Sequence, residues 1–225
     1  MFKSFAALTA LVLLAACAVT SPQTFSGQFE PPPASSRVLV MTPNVQLAIL
    51  SAAGIPEPRE DWSVSGRDNL AASVAAFVQA ESHTPNGLDP STAMEGRVGQ
   101  IIRLHDAVGA SLIQRAMLPT QRDRFEWTLG EGVRELGAAH NADYALFVGA
   151  NGTYASAGRV AAAVGLAILG VGVPLGNQVA YASLVDLRTG NVIWFNTALA
   201  APGEDMRSAD GARSLVVSIM KDAPL

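Results

Sequence analysis

The chain has 225 residues, 49% of them hydrophobic, and a formal net charge of −4 from 15 basic and 19 acidic side chains. That balance excludes the basic stripe of a nucleic-acid-binding surface. A single cysteine excludes any disulfide within the chain, so folding must rest on a hydrophobic core, which a chain of this length can supply.

The first element is a leader: Lys3, an apolar run over residues 5–14, then small Ala15 and Ala16 before Cys17. This is the charged, apolar, small-residue order of a secretory signal, and it is shorter than the ~20 apolar residues that span a bilayer. The stretch Leu14-Ala15-Ala16-Cys17 resembles a bacterial lipobox. The resemblance implies removal of residues 1–16, a diacylglycerol thioether on Cys17 and acylation of the new amino terminus. A thiolate is the side chain nucleophilic enough for that step; the bland alternative is a core helix holding a buried free cysteine. By the sorting pattern of enterobacterial lipoproteins, Ala18 in place of Asp implies transfer to the outer membrane, with the inner membrane as the alternative.

Residues 17–36 are rich in Ser, Pro, Thr and Gln and have no hydrophobic period. They read as a lipid-anchored flexible tether spanning roughly 25 Å as a coil. Pro31-Pro32-Pro33 also admits a polyproline ligand, although the flanking determinants are thin.

Residues 37–225 read as one periplasmic domain. "RVLVM" and "VQLAIL" are strand candidates around a Thr42-Pro43-Asn44 turn, and a Pro- and Gly-containing loop over 54–58 leads into a helix with Leu70, Val74, Phe77 and Val78 on one face. "ESHTPNG" admits a short edge strand, and Asp89-Pro90 reads as an N-cap with proline in the first helical position. The helix it opens carries a stripe of Val98, Ile101, Ile102, His105, Val108, Leu112 and Ile113. A helix over 129–141, a strand "YALFVGA" and a β-hairpin, "QVAYASLVDL" then "NVIWFNTAL" around Gly190, follow. A last helix over 207–221 turns Leu215, Val216, Ile219 and Met220 inward. Interleaved helices and strands predict an α/β (α+β) class: a single mixed β-sheet flanked by helices, with a C-terminal hairpin and final helix.

The aspartate, Thr-Gly turn and tryptophan of "SLVDLRTGNVIWF", set after "ADYALFV", resemble lipoprotein domains related to the TolB amino-terminal domain, CsgG and LpoB. With "FEWTLG" and "YASAGR" they are similar to a family of bacterial envelope lipoproteins. The resemblance is specific over residues 125–196 and implies fold and compartment, not a fixed chemistry.

No catalytic, cofactor or metal constellation emerges. His83, His105 and His140 lack partners at ligand spacing, and His105, on an apolar stripe beside Asp106, reads as a satisfied core or boundary histidine. "GVGVPLG" lacks the lysine of a phosphate loop and contains Pro174. Glu57, Glu60 and Asp61, around Arg59 and beside Trp62, suit a helix entry; a dry acid–base pair is the sharper alternative. Residues 160–176 carry no charge and four glycines, which favours close core packing over a subunit interface or membrane contact. The expectation is a non-catalytic binding or assembly module with an envelope protein partner, anchored in the membrane and able to form a homo-oligomer. Alternatives are an oligomeric accessory subunit of a secretion or efflux system and an envelope hydrolase using the acidic group.

Overall fold

The five residues of β3 (Arg37–Met41) divide the interior in two: Val38 and Val40 enter one core, Leu39 and Met41 the other. A strand buried on both faces reads as an unbroken apolar run, which is how "RVLVM" stands out. The computed structural model describes residues 19–114, 118 and 124–225. Its nine-stranded mixed sheet is covered by helices on both faces.

The axis of the sheet is β7 (Tyr144–Ala155), which continues the predicted strand "YALFVGA" to Ala155. Along one of its edges β3 and β4 (Asn44–Leu50) lie end to end, both parallel to it, broken at Thr42-Pro43. Along the other runs β8 (Gln178–Asp186), antiparallel, followed by β9 (Val192–Leu199). This hairpin has the predicted turn. Gly190 sits at φ 82°, and a Cβ there would lie 2.3 Å from the Gly130 carbonyl oxygen, so only glycine fits. Trp194 is fully buried opposite Leu184.

Short strands finish both edges. β5 (Pro56–Pro58) pairs with β4, and β6 (Thr84–Leu88) with β3. β1 (Val19–Thr20) and β2 (Gln23–Thr24) pair with β9, and Ser26 is bonded to Phe125 through both backbone N–H and hydroxyl. Residues 19–26 are therefore docked rather than part of a flexible tether. Main-chain groups make these bonds, so composition does not announce them.

On one face α1 (Glu60–Ala80) buries Leu70, Val74 and Val78 beside α5 (Ala209–Ile219), which turns Leu215, Val216 and Ile219 inward as expected. Full burial of each such side chain contributes roughly 1.5–3 kcal/mol. On the other face lie α2 (Gly96–Ile113) and α3 (Val133–His140). Three boundaries differ from expectation. Asp89 caps only a 3-10 turn, Pro90–Thr92, and α2 starts after Glu95. Ile113, at the end of the stripe, is 48% exposed. α3 begins later than residue 129 because Gly130, at φ 74°, turns the chain first. Between β7 and β8 stands α4 (Ala157–Ala167). Among the described residues no helix is long and apolar enough to cross a membrane.

Candidate functional site

The break at Thr42-Pro43 opens a cleft of about 330 Å³ between the edge strands β6 and β5, at the carboxyl end of β3. Crevices at strand ends are where open sheets with helices on both faces collect ligands. Asn44 and Arg67 bring donors to its wall, Glu60 and Asp89 acceptors. Asp89 accepts from the Ser91 backbone N–H at 2.9 Å, and the Ser91 hydroxyl and N–H together hold its carboxyl below the usual range. Deep in the cleft His105 is 1% exposed, stacked on Phe147 and bonded through Nε2 to the Ser183 hydroxyl at 2.7 Å. Its Nδ1 has no hydrogen-bond partner; the nearest carboxylate oxygen, on Asp106, stands 3.8 Å away. Burial pushes this imidazole below its ordinary value, against the smaller opposing pull of Asp106. The ring of Tyr181, also on the wall, comes within 2.4 Å of where a Cβ on Gly149 would sit, so that glycine is needed for close approach. This recess suits a neutral or mixed-charge ligand rich in hydrogen-bonding groups. Ser183, Tyr181 and Gly149 escaped sequence reasoning because strand alternation marks them only as inward-facing.

A second cluster ties the start of α1 to the far ends of β7 and β8. Arg59 and Arg207 cover the ring of Trp62 at 4.2 and 4.5 Å, Arg207 also lies 3.6 Å over Tyr154, and Trp62 meets Tyr154 edge-on at 5.4 Å. Asp205 grips Arg207 with both oxygens and accepts from the Tyr154 hydroxyl at 2.9 Å. Burial pushes the Asp205 carboxyl up, but the bonds from Arg207 and Tyr154 outweigh it and hold it below its ordinary value. The Tyr154 hydroxyl is pushed far up, by burial first and then by Asp205. Of the acidic trio, Asp61 is held by Arg59 at 2.6 Å, Glu57 is exposed on β5 and Glu60 faces the cleft. The trio does not converge as an acid–base pair.

Residues 160–176 overturn the core-packing expectation. α4 has no buried residue, and every position from Val164 to Gly172 is exposed. Among the described residues, seven of the fourteen exposed large hydrophobic side chains lie between Val160 and Leu175, led by Ile168 at 83% and Leu169 at 75%. Apolar composition announces burial without saying by what. The base of this tongue is fixed: Ser156 caps α4 through the Arg159 N–H, and Arg159 donates to Pro174 O at 3.1 Å. The "GVGVPLG" loop is the tongue's exposed return.

The histidines stay apart. His83 is buried just before β6, His140 ends α3 and His105 lies in the cleft. Among the described residues no three His, Cys, Asp or Glu side chains gather at metal-binding distance. Cys17 lies outside the described residues.

No family model matches the sequence, and no curated protein does. Among solved structures, the chain is similar to the PelC dodecamer from Paraburkholderia phytofirmans at 13% identity and TM-score 0.43, over 92% of this chain and 98% of that one. Lipoprotein GNA1162 from Neisseria meningitidis matches at 16% identity and TM-score 0.36, over 81% and 91% of the two chains. The LpoB C-terminal domain from Salmonella enterica matches at 13% identity and TM-score 0.30, over 74% and 82%.

Proposed function

We propose that the chain is a lipoprotein of the bacterial envelope, acylated at Cys17 and most simply held at the outer membrane. Its domain works as a non-catalytic binding and assembly module in the periplasm. The observation that carries this reading is the uncharged tongue over 160–176, which folds without burying its apolar side chains. A monomer rarely exposes such a contiguous patch unless something else covers it. The lipobox Leu14-Ala15-Ala16-Cys17 supports the compartment. The engagement of Asp61 with Arg59 weakens the hydrolase alternative, and the cleft around His105 supplies a recess for a partner's polar groups.

Metabolic labelling with an alkyne fatty acid tests the anchor. Label is expected on the wild-type chain and not on Cys17→Ser, and an unlabelled wild type would remove the lipoprotein reading. Photocrosslinkers at Asn44 and Tyr181, inside the cleft, test the module in intact cells. A discrete protein adduct at these positions, absent from an exposed site such as Arg213, is expected; none at either position would reject the cleft as a partner site.

A further inference from the structure

We infer that the tongue of α4 and the loop to Gly176 dips into the apolar layer of a bilayer surface, beside the acyl chains of Cys17. The inference rests on the reading that Cys17 is acylated; it names lipid as what covers the tongue and leaves the cleft around His105 as the module's protein-binding surface.

The register of the sheet supplies the geometry. Val19, Leu199, Val179, Asn151 and Gln46 form one continuous row across β1, β9, β8, β7 and β4. Beyond that row, on one side, β7 runs out into the tongue and β8 returns from it. On the same side the chain leaves Val19 towards Cys17, two residues on, a covalent reach of about 7 Å. The β4–β5 turn also lies at this end: Leu50 pairs with Ala155, and Ile55 is 63% exposed. Arg159 reaches the Ala52 carbonyl at 3.5 Å, which joins turn and tongue. Leu199 itself is 43% exposed. The described chain thus begins, at Val19, at the end of the sheet that carries the exposed apolar tongue.

Chemistry selects lipid as the occupant. A docked protein shields one stripe of a helix, but α4 and its continuation expose Val160, Val164, Leu166, Ile168 and Leu169 in turn, with small Ala and Gly between them and no polar face past Arg159. A helix apolar all round is one that its surroundings enclose. The eleven residues of α4 reach roughly 16 Å, half of the ~30 Å hydrocarbon core, so the element enters without crossing. Pro174 and the glycines at 170, 172 and 176 leave backbone groups in the return loop that need water or headgroups, which an interfacial depth provides. The acyl chains of Cys17 already meet the two-signal requirement for stable attachment, so an inserted tongue serves to orient the domain at the surface.

The test uses the full chain purified from a bacterial membrane, with a genetically encoded fluorescent amino acid at position 168 or, as control, at 189. Position 189, in the β8–β9 turn, is at the opposite end of the sheet, roughly 35 Å away. Each protein is reconstituted in vesicles of phosphatidylethanolamine and phosphatidylglycerol carrying acyl-brominated lipid, and mass spectrometry reads acylation of Cys17 independently. Quenching at 168 with none at 189 is the expected result. Leu169→Glu beside the probe should abolish it and leave the unfolding temperature unchanged, since Leu169 is 75% exposed. An acylated protein unquenched at 168 overturns the inference and leaves the anchor standing. An unacylated protein still quenched there supports the tongue's contact with lipid and removes the lipoprotein reading. A probe shielded without lipid quenching, with copies crosslinking through the tongue, overturns the inference in favour of self-association.

Discussion

His105 lies flat against Phe147, with ring centroids 3.5 Å apart and planes 9° from parallel. The stack seals the imidazole from water, and burial lowers its pKa. The unfolded chain therefore takes up a proton as pH falls through about 6.5, before the folded one does. Stability associated with this ring is complete above that value and is lost as pH falls through the window beneath it. Urea midpoints at about pH 7.5 and about pH 5.5 should show a smaller drop for His105→Phe than for wild type. Equal drops would show that His105 is not a source of the acid sensitivity.

The hairpin sets a second expectation. Trp194 is fully buried, and Trp194→Ala should cost about 3–5 kcal/mol. Gly190→Val meets both the positive φ of 82° and the Gly130 carbonyl, a strain on the order of 1–3 kcal/mol. An unchanged denaturation midpoint in either variant would reject the register of β8 and β9.

At Gly165 the direction reverses. Beyond its own stretch of helix backbone, no atom lies within 4 Å of a Cβ built there, so Gly165→Leu should leave stability unchanged or raise it by up to about 1 kcal/mol through helix propensity. A loss above about 1 kcal/mol in thermal unfolding would mean that the tongue packs against the domain after all.

Tyr154→Phe removes the hydroxyl that bridges Gln178 Oε1 at 2.6 Å and Asp205 at 2.9 Å. It should cost about 1–3 kcal/mol, because both acceptors stay behind half-buried. Arg207→Met removes the cation that lies over both Trp62 and Tyr154 and should shift Trp62 emission. Emission unchanged by Arg207→Met would show that the stack does not persist in solution.

The parts legible in the sequence are those where side-chain period and burial coincide. Val38 to Met41, the β8–β9 hairpin and the inward face of α5 each follow a strand or helix period into a core. The tongue reads as core in the sequence although the chain's own atoms do not cover it, because apolar residues look the same whether protein, lipid or another copy encloses them. The Trp62 cluster was half visible: Arg59 lies three residues away and Arg207 far along the chain. Partners that distant leave no local spacing to read. The cleft escaped for the same reason, since His105 meets Ser183 from another element 78 positions on.

The pairing of Val19–Thr20 and Gln23–Thr24 along β9 has a mechanical consequence. With Cys17 acylated as proposed, a pull that enters the described chain at Val19 along the line of β1 loads its hydrogen bonds together, in shear, instead of peeling them apart one after another. From β1 and β2 the force passes into β9 and, through the long β8–β7 ladder, into the middle of the sheet. A domain loaded this way holds a set attitude to the membrane, like a keel, where a coil of the same length would let it swing.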